Sequence, residues 1–231
     1  MRIFFILLAF LCGSYSYTGL SGEESNMPAS PFVSHCDSLL KNKASEVPIE
    51  LIVSGEVQSI IEKMMKIIGN YRENRGNGVM VGLAAPQIGI PLSIIIVDMQ
   101  VDSSWSNLGD LVAYINPKIT WYSEDIIYGI EGCYSVDDHL DGKVPRSGSI
   151  KLEAYDRQGS IIQQTFSGFT ARIFQHEVDH LHGICFPDRI GPDGILHWIP
   201  DNQYNLYKEQ WESWPLICPW EVWLEMKEGK R

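Results

Sequence analysis

Two histidines four residues apart, His176 and His180 in "FQHEVDHLHG" (174–183), bracket an acid at Glu177. On a helix the imidazoles project from one face, one turn apart, and the carboxylate lies about 100 degrees round from the first. Neutral imidazole ligates zinc or ferrous iron, and a carboxylate beside such an ion can take a proton from water and return it. A metal that works on a substrate needs three protein ligands and one open position. Downstream, His182 stands two residues on and off the His176/His180 face, and His197 lacks a recognisable motif. Upstream, "IEGCYSV" (130–136) offers Cys133, whose thiolate would complete a Cys-His-His set. A cysteine standing alone is more often a small buried hydrophobe, so the helix motif gives this one its meaning.

The elements that must hold these groups are legible in part. A helix is predicted from Thr170 to His182, closed by Gly183, with Phe174 and Leu181 as core positions. Val57, Ile60, Ile61, Met64, Ile67 and Ile68 share one helical face, and Gly69-Asn70 reads as the stop. The β-branched run 91–99 and the alternating stretch 111–123 read as strands. The segments 149–156 and 160–168 read as a hairpin around Arg157-Gln158-Gly159. Strands gathered in the middle with a helix on either side imply an α+β fold.

The chain has 231 residues, 45% of them hydrophobic and 20% charged, which suits one well-cored domain with extensions. A net charge of -11 argues against nucleic-acid partners, which require a basic surface. Five scattered cysteines (Cys12, Cys36, Cys133, Cys185, Cys218) make a poor disulfide framework. Residues 1–16 read as a secretory signal peptide, with an over-extended start before Met27 as the alternative, and 17–30 as a linker. No other stretch approaches transmembrane length, so no membrane span is expected after processing. Residues 198–231 hold five of the seven tryptophans, with Pro200, Pro215 and Pro219 breaking any long helix. Either the indoles pack back on the domain or they form a docking surface.

"GLAAPQIG" (82–89), "EGCYS" (131–135) and "QHEVDHLHG" (175–183), in that order, closely resemble the three signature motifs of peptide deformylases. "CDSLLKNKASEVP" (36–48) and "KVPRSGSIKLEAYDRQG" (143–159) extend the likeness to roughly residues 31–190, within a catalytic domain over 31–197. The resemblance implies antiparallel β-sheets packed around a central metal-binding helix, and removal of the formyl group from N-formylmethionyl peptides. It implies Cys133, His176 and His180 as ligands of one divalent ion, Fe2+ first, with Zn2+, Ni2+ or Co2+ as replacements. Glu177 would be the general acid/base, and the Gln87 amide and the Tyr134 N–H would donate to the oxyanion. Gly82 would let backbone approach the peptide, and Phe169, Arg172 and Ile173 would border the methionine pocket. Glu131 reads as structural, and Asp179 as a partner for a histidine or for Arg146.

Some positions depart from the family's text. Met80 stands where glycine is common, Tyr134 where leucine is frequent, and Asp137 and Asp138 make the mouth more acidic. After residue 199 six acids face four bases, which makes docking on a ribosome through a basic tail doubtful; a monomer is expected. The signal-like start suggests export, whereas the family's role suggests cytoplasm or organelle. Two alternatives stay open at this point: a metallopeptidase, and a deformylase-like protein that binds a partner.

Overall fold

The computed structural model describes residues 30–73, 79–101, 108–136, 139–200 and 203–230. The signal-like start, Met27, the linker up to residue 29, and Asp137 and Asp138 lie outside the described residues.

Among the described residues nine strands run in chain order as β1 Gly82–Ala84, β2 Ile94–Asp98, β3 Leu111–Tyr122, β4 Ile126–Gly132, β5 Leu140–Ser147, β6 Ser149–Tyr155, β7 Ile161–Ser167, β8 Leu196–Trp198 and β9 Ile217–Cys218. The helices are α1 Gly55–Glu73, α2 Gly168–Leu181, α3 Phe186–Ile190, α4 Tyr204–Gln210 and α5 Trp220–Lys227. The first sheet has the order β1-β2-β3-β6-β7 and the second β4-β5-β8-β9. The pairings between these strands are all antiparallel. This is the α+β fold that the sequence predicts, with α2 packed against both sheets.

The run "IIIVD" is wholly buried because β2 is covered on both faces. Ile94 and Ile96 meet the apolar stripe of α1 (Val57, Ile61, Met64, Ile68), while Ile95 and Val97 meet Ala171, Phe174 and Val178 of α2. Burying each such large side chain is worth about 1.5–3 kcal/mol. This two-sided layer seats the helix that carries the histidines. The hairpin of β6 and β7 forms as predicted, its turn closing on Gly159 at φ 81°.

Helix α1 runs past Gly69-Asn70, the predicted stop, to Glu73. Contacts beyond the glycine outweigh its modest propensity cost of about 1 kcal/mol. Tyr71 packs edge-on to Phe32 with ring centroids 5.2 Å apart, and Arg72 pairs with the buried Asp98 carboxylate at 2.5 Å while its Nε donates to the Met80 carbonyl at 3.0 Å.

The tryptophan-rich extension turns indoles inward. Strand β9 adds to β8 and so to the sheet that contains β4 and β5. Trp214 packs with Ile199 and Tyr207, and Trp223 and Met226 join a cluster with Val136, Leu140, Cys185 and Phe186. Among the described residues no helix is long and apolar enough to cross a membrane.

Candidate metal centre

Strand β4 ends at Gly132, and Cys133 opens the turn that follows, its carbonyl accepting from the Val136 N–H at 3.1 Å. Helix α2 presents His176 and His180 with ring centroids 5.0 Å apart. Cys133 Sγ lies 3.3 Å from His180 Nε2. One ligating atom from each of Cys133, His176 and His180 lies within 4.8 Å of the other two. Tetrahedral ligation with bonds of about 2.0–2.3 Å spaces ligand atoms roughly 3.6 Å apart, so this donor set fits one divalent ion. The other two histidines near the motif are engaged elsewhere. His182 Nδ1 lies 2.9 Å from the Val178 carbonyl, and His197 Nδ1 lies 3.3 Å from the Tyr207 hydroxyl.

Gln87 reaches the same place from a 3-10 turn, Ala85–Ile88. Its Oε1 accepts from the Ala84 N–H at 2.8 Å, which leaves Nε2 to donate to Cys133 Sγ at 3.4 Å. Glu177 is buried, and its Oε2 has no hydrogen-bond partner among the described residues. Its carboxylate backs onto Gly82, where a Cβ would stand 2.8 Å from Glu177 Cδ. The glycine opening the first motif thus makes room for the carboxylate. Tyr134 stacks on Phe32 at 5.5 Å and meets Tyr71 edge-on at 5.1 Å, so the residue in place of leucine ties the cysteine turn to α1. Ile173 belongs to the core, and Phe169 packs partly buried against it.

Arg172 lies one turn before His176, over Gly129 of β4. Its Nη1 donates to Glu131 Oε1 at 2.7 Å and to the Val144 carbonyl at 3.0 Å, and Nη2 donates to the Ile127 carbonyl at 2.6 Å. Glu131 is the hub. It takes a two-pronged contact from Arg146 at 3.0 and 2.8 Å, and its Oε2 lies 2.9 Å from His176 Nδ1. The outer nitrogen of that imidazole is therefore fixed by a carboxylate, which turns Nε2 toward the cysteine and sets ring orientation. Asp179 pairs with Arg146 and Arg189, not with a histidine. The contacts of Glu131 span 15 to 45 residues of sequence, so no local pattern announces them.

The electrostatics favour a cation at the centre. Burial raises the Cys133 thiol, but His180 and His176 outweigh that and hold it well below the ordinary range. Burial likewise pulls His176 down, while Cys133 and Glu131 overcome it and push the imidazole up to about 10. His180 is driven well above its usual value in the same way, Cys133 and Cys185 prevailing over burial. Protons drawn that strongly mark where positive charge is stabilised. Glu177 is lifted to about 7, chiefly by burial, with both histidines drawing it down. A carboxyl near neutrality can both accept and return a proton.

The family model for polypeptide deformylase matches residues 29–194. Peptide deformylase 2 of Nostoc sp. is 35% identical over 177 residues, which cover 76% of this chain and 92% of that protein. The crystal structure of class I type b peptide deformylase from Acinetobacter baumannii with Met-Ala-Ser bound superposes with a TM-score of 0.61 at 34% identity, covering 69% of this chain and 97% of the other. Peptide deformylase from Thermotoga maritima gives a TM-score of 0.59 at 30% identity, over 70% and 97%. With the match spanning both sheets' main strands and the Cys-His-His cluster, this chain belongs to the peptide deformylase family.

Proposed function

We propose that this chain hydrolyses the formyl amide of N-formylmethionyl peptides, with Cys133, His176 and His180 holding one divalent ion and Glu177 moving the proton. The observation that carries this reading is convergence. A three-ligand set, a buried carboxylate with an unpartnered oxygen and an amide donor come from three separate elements onto one point.

When bound, a divalent ion supplies Lewis-acid polarisation of the carbonyl and of the attacking water. The thiolate of Cys133 leaves less net charge there than a third neutral imidazole would, so a protein base is required. Glu177 takes a proton from water as its oxygen bonds to the formyl carbon. The Gln87 amide and the Tyr134 N–H donate to the carbonyl oxygen as it becomes anionic. Glu177 then passes the proton to the peptide nitrogen, the carbon–nitrogen bond breaks, and formic acid leaves and ionises to formate. Gly82 and Gly132 both lie on edge strands, β1 and β4, where an extended peptide has backbone to pair with. Phe169, Arg172 and Ile173 border the pocket for the methionine side chain.

Fe2+ is the ion this donor set is assigned, with Zn2+, Ni2+ and Co2+ as substitutes, since a soft thiolate and two imidazoles accept all four. The test is formate release from formyl-Met-Ala-Ser by the ferrous-loaded protein, with peptide products read by mass spectrometry. Formate with an intact Met-Ala-Ser product is expected. Internal cleavage of the peptide, or no formate with the ion bound, would overturn the assignment.

A further inference from the structure

Behind the two imidazoles stands the first turn of α3. Cys185 caps that helix fully buried beside His180, and the Phe186 ring stacks on His176 with centroids 6.4 Å apart and planes at 16°. A helix of five residues cannot hold itself in place. What fixes it is Asp188, three residues into the turn. Its Oδ2 accepts from the Cys185 N–H at 2.9 Å and from Lys227 Nζ at 2.5 Å, and its Oδ1 accepts from Trp223 Nε1 at 3.0 Å. One carboxylate therefore ties α3 both to its own cap and to α5 of the tryptophan-rich extension.

We propose that Asp188 is a bolt through which the extension holds the back wall of the metal centre, making Trp223 and Lys227 positioning residues for His176 and His180. The proposal rests on the reading of Cys133, His176 and His180 as metal ligands. Trp223 has 0% exposure and shares its apolar cluster with Val136, Leu140, Cys185 and Phe186, with Cys133 at the margin. The far side of α5 is also anchored. The His35 ring lies 5.5 Å from Trp223, and its Nε2 is 3.1 Å from the Met226 carbonyl. Strand β9 closes the opposite edge of the sheet whose other edge strand, β4, leads into Cys133. Both β9 and α5 follow the family-matched residues 29–194, so α3 lies inside that match while the helix that braces it from behind lies outside. Partners that fix the outer side of ligating imidazoles typically govern metal affinity by about 10–100-fold.

The test uses the full chain loaded with Co2+, whose thiolate-to-cobalt absorption reports the centre without any substrate. The rate of cobalt release to a chelator is then measured. Asp188→Ala and Trp223→Ala are expected to speed release about tenfold or more and to shift the thiolate band. Asp188→Asn, which keeps one acceptor oxygen for Cys185 or Trp223 but not both and loses the charge, falls between, and Lys227→Arg stays near the parent. Should Trp223→Ala fail to fold, Asp188→Ala and Lys227→Met carry the test. Release within twofold of the parent in Asp188→Ala, at unchanged circular dichroism, overturns the bolt. So does a lowered thermal midpoint with release unaltered. A parent that gives no thiolate band overturns the ligand reading along with it, whereas tight cobalt with no formate release sinks only the hydrolase assignment.

Discussion

At Gly82 a hydrogen stands where any other residue would place a carbon against the Glu177 side chain. The restriction is one of space, since its backbone is ordinary strand β1. Gly82→Ala is expected to push the carboxylate off its seat and cut turnover at least tenfold, while bound metal, read by elemental analysis, stays stoichiometric. Misplacement of about 1 Å typically costs on the order of a hundredfold. Gln87 makes a second case at the same scale. Its carbonyl is pinned by the Ala84 N–H, which aims the amide at the centre at no further ordering cost. Losing one such donor costs about 2.7–4 kcal/mol of barrier, so Gln87→Ala should lower kcat for formate release roughly a hundredfold or more. Unchanged kcat would remove Gln87 from the chemistry.

Between elements, the decisive joint is where β4, β5 and α2 meet at Glu131. The carboxylate is buried and receives Arg146 of β5, Arg172 and His176 of α2, so one group registers the cysteine strand against the histidine helix. Burial opposes its ionisation, yet Arg146 and His176 hold it far below the ordinary carboxylate range. Breaking such a buried network by removing one partner costs about 3–5 kcal/mol, because the others are left charged and unpaired. Glu131→Ala should therefore lower stability by about that amount in urea unfolding. Glu131→Gln should lose less, since it keeps acceptors for part of the set. Gly129 belongs to the same joint. A Cβ there would stand 2.9 Å from Arg172 Cζ, so the strand stays bare where the guanidinium crosses it.

For the molecule as a whole, α2 lies against two antiparallel sheets, and the extension completes the second of them. That completion has a cost at Asp141 of β5. The side chain is buried against Gly132 with Oδ2 lacking a hydrogen-bond partner among the described residues. Burial lifts this carboxyl to about 7, with Lys208 of α4 drawing it down and Cys133 adding to the rise. An unfolded aspartate titrates near ~4, so the folded chain holds this proton more tightly. Stability from that source is complete below pH ~4 and is lost as pH rises through about 7. Asp141→Asn removes the dependence. The variant should match the parent near pH ~4 and exceed it by on the order of 2–4 kcal/mol at pH ~8.5, in urea unfolding followed at both values. A constant difference across that range would show that Asp141 is not the group responsible.

By itself the sequence set out the candidate chemistry: which side chains could ligate a metal, which one is proposed to carry the proton, and in what order along the chain they come. His176, Glu177 and His180 are legible because a helix repeats every 3.6 residues, so spacing alone puts two imidazoles on one face. Strands β2, β3, β6 and β7 are legible because their hydrophobic alternation or continuity is local. Tertiary structure alone decided the support. Strands β4 and β5 hide from pattern reading because glycines and charged residues interrupt them, and Glu131 and Arg146 are interior only because each neutralises the other across the sheet. The extension offered tryptophans without a direction until β9 paired with β8 and Asp188 received Trp223 and Lys227. Spacing reports which groups share a face of one element. The burial of a charge depends on a partner that only folding brings into reach.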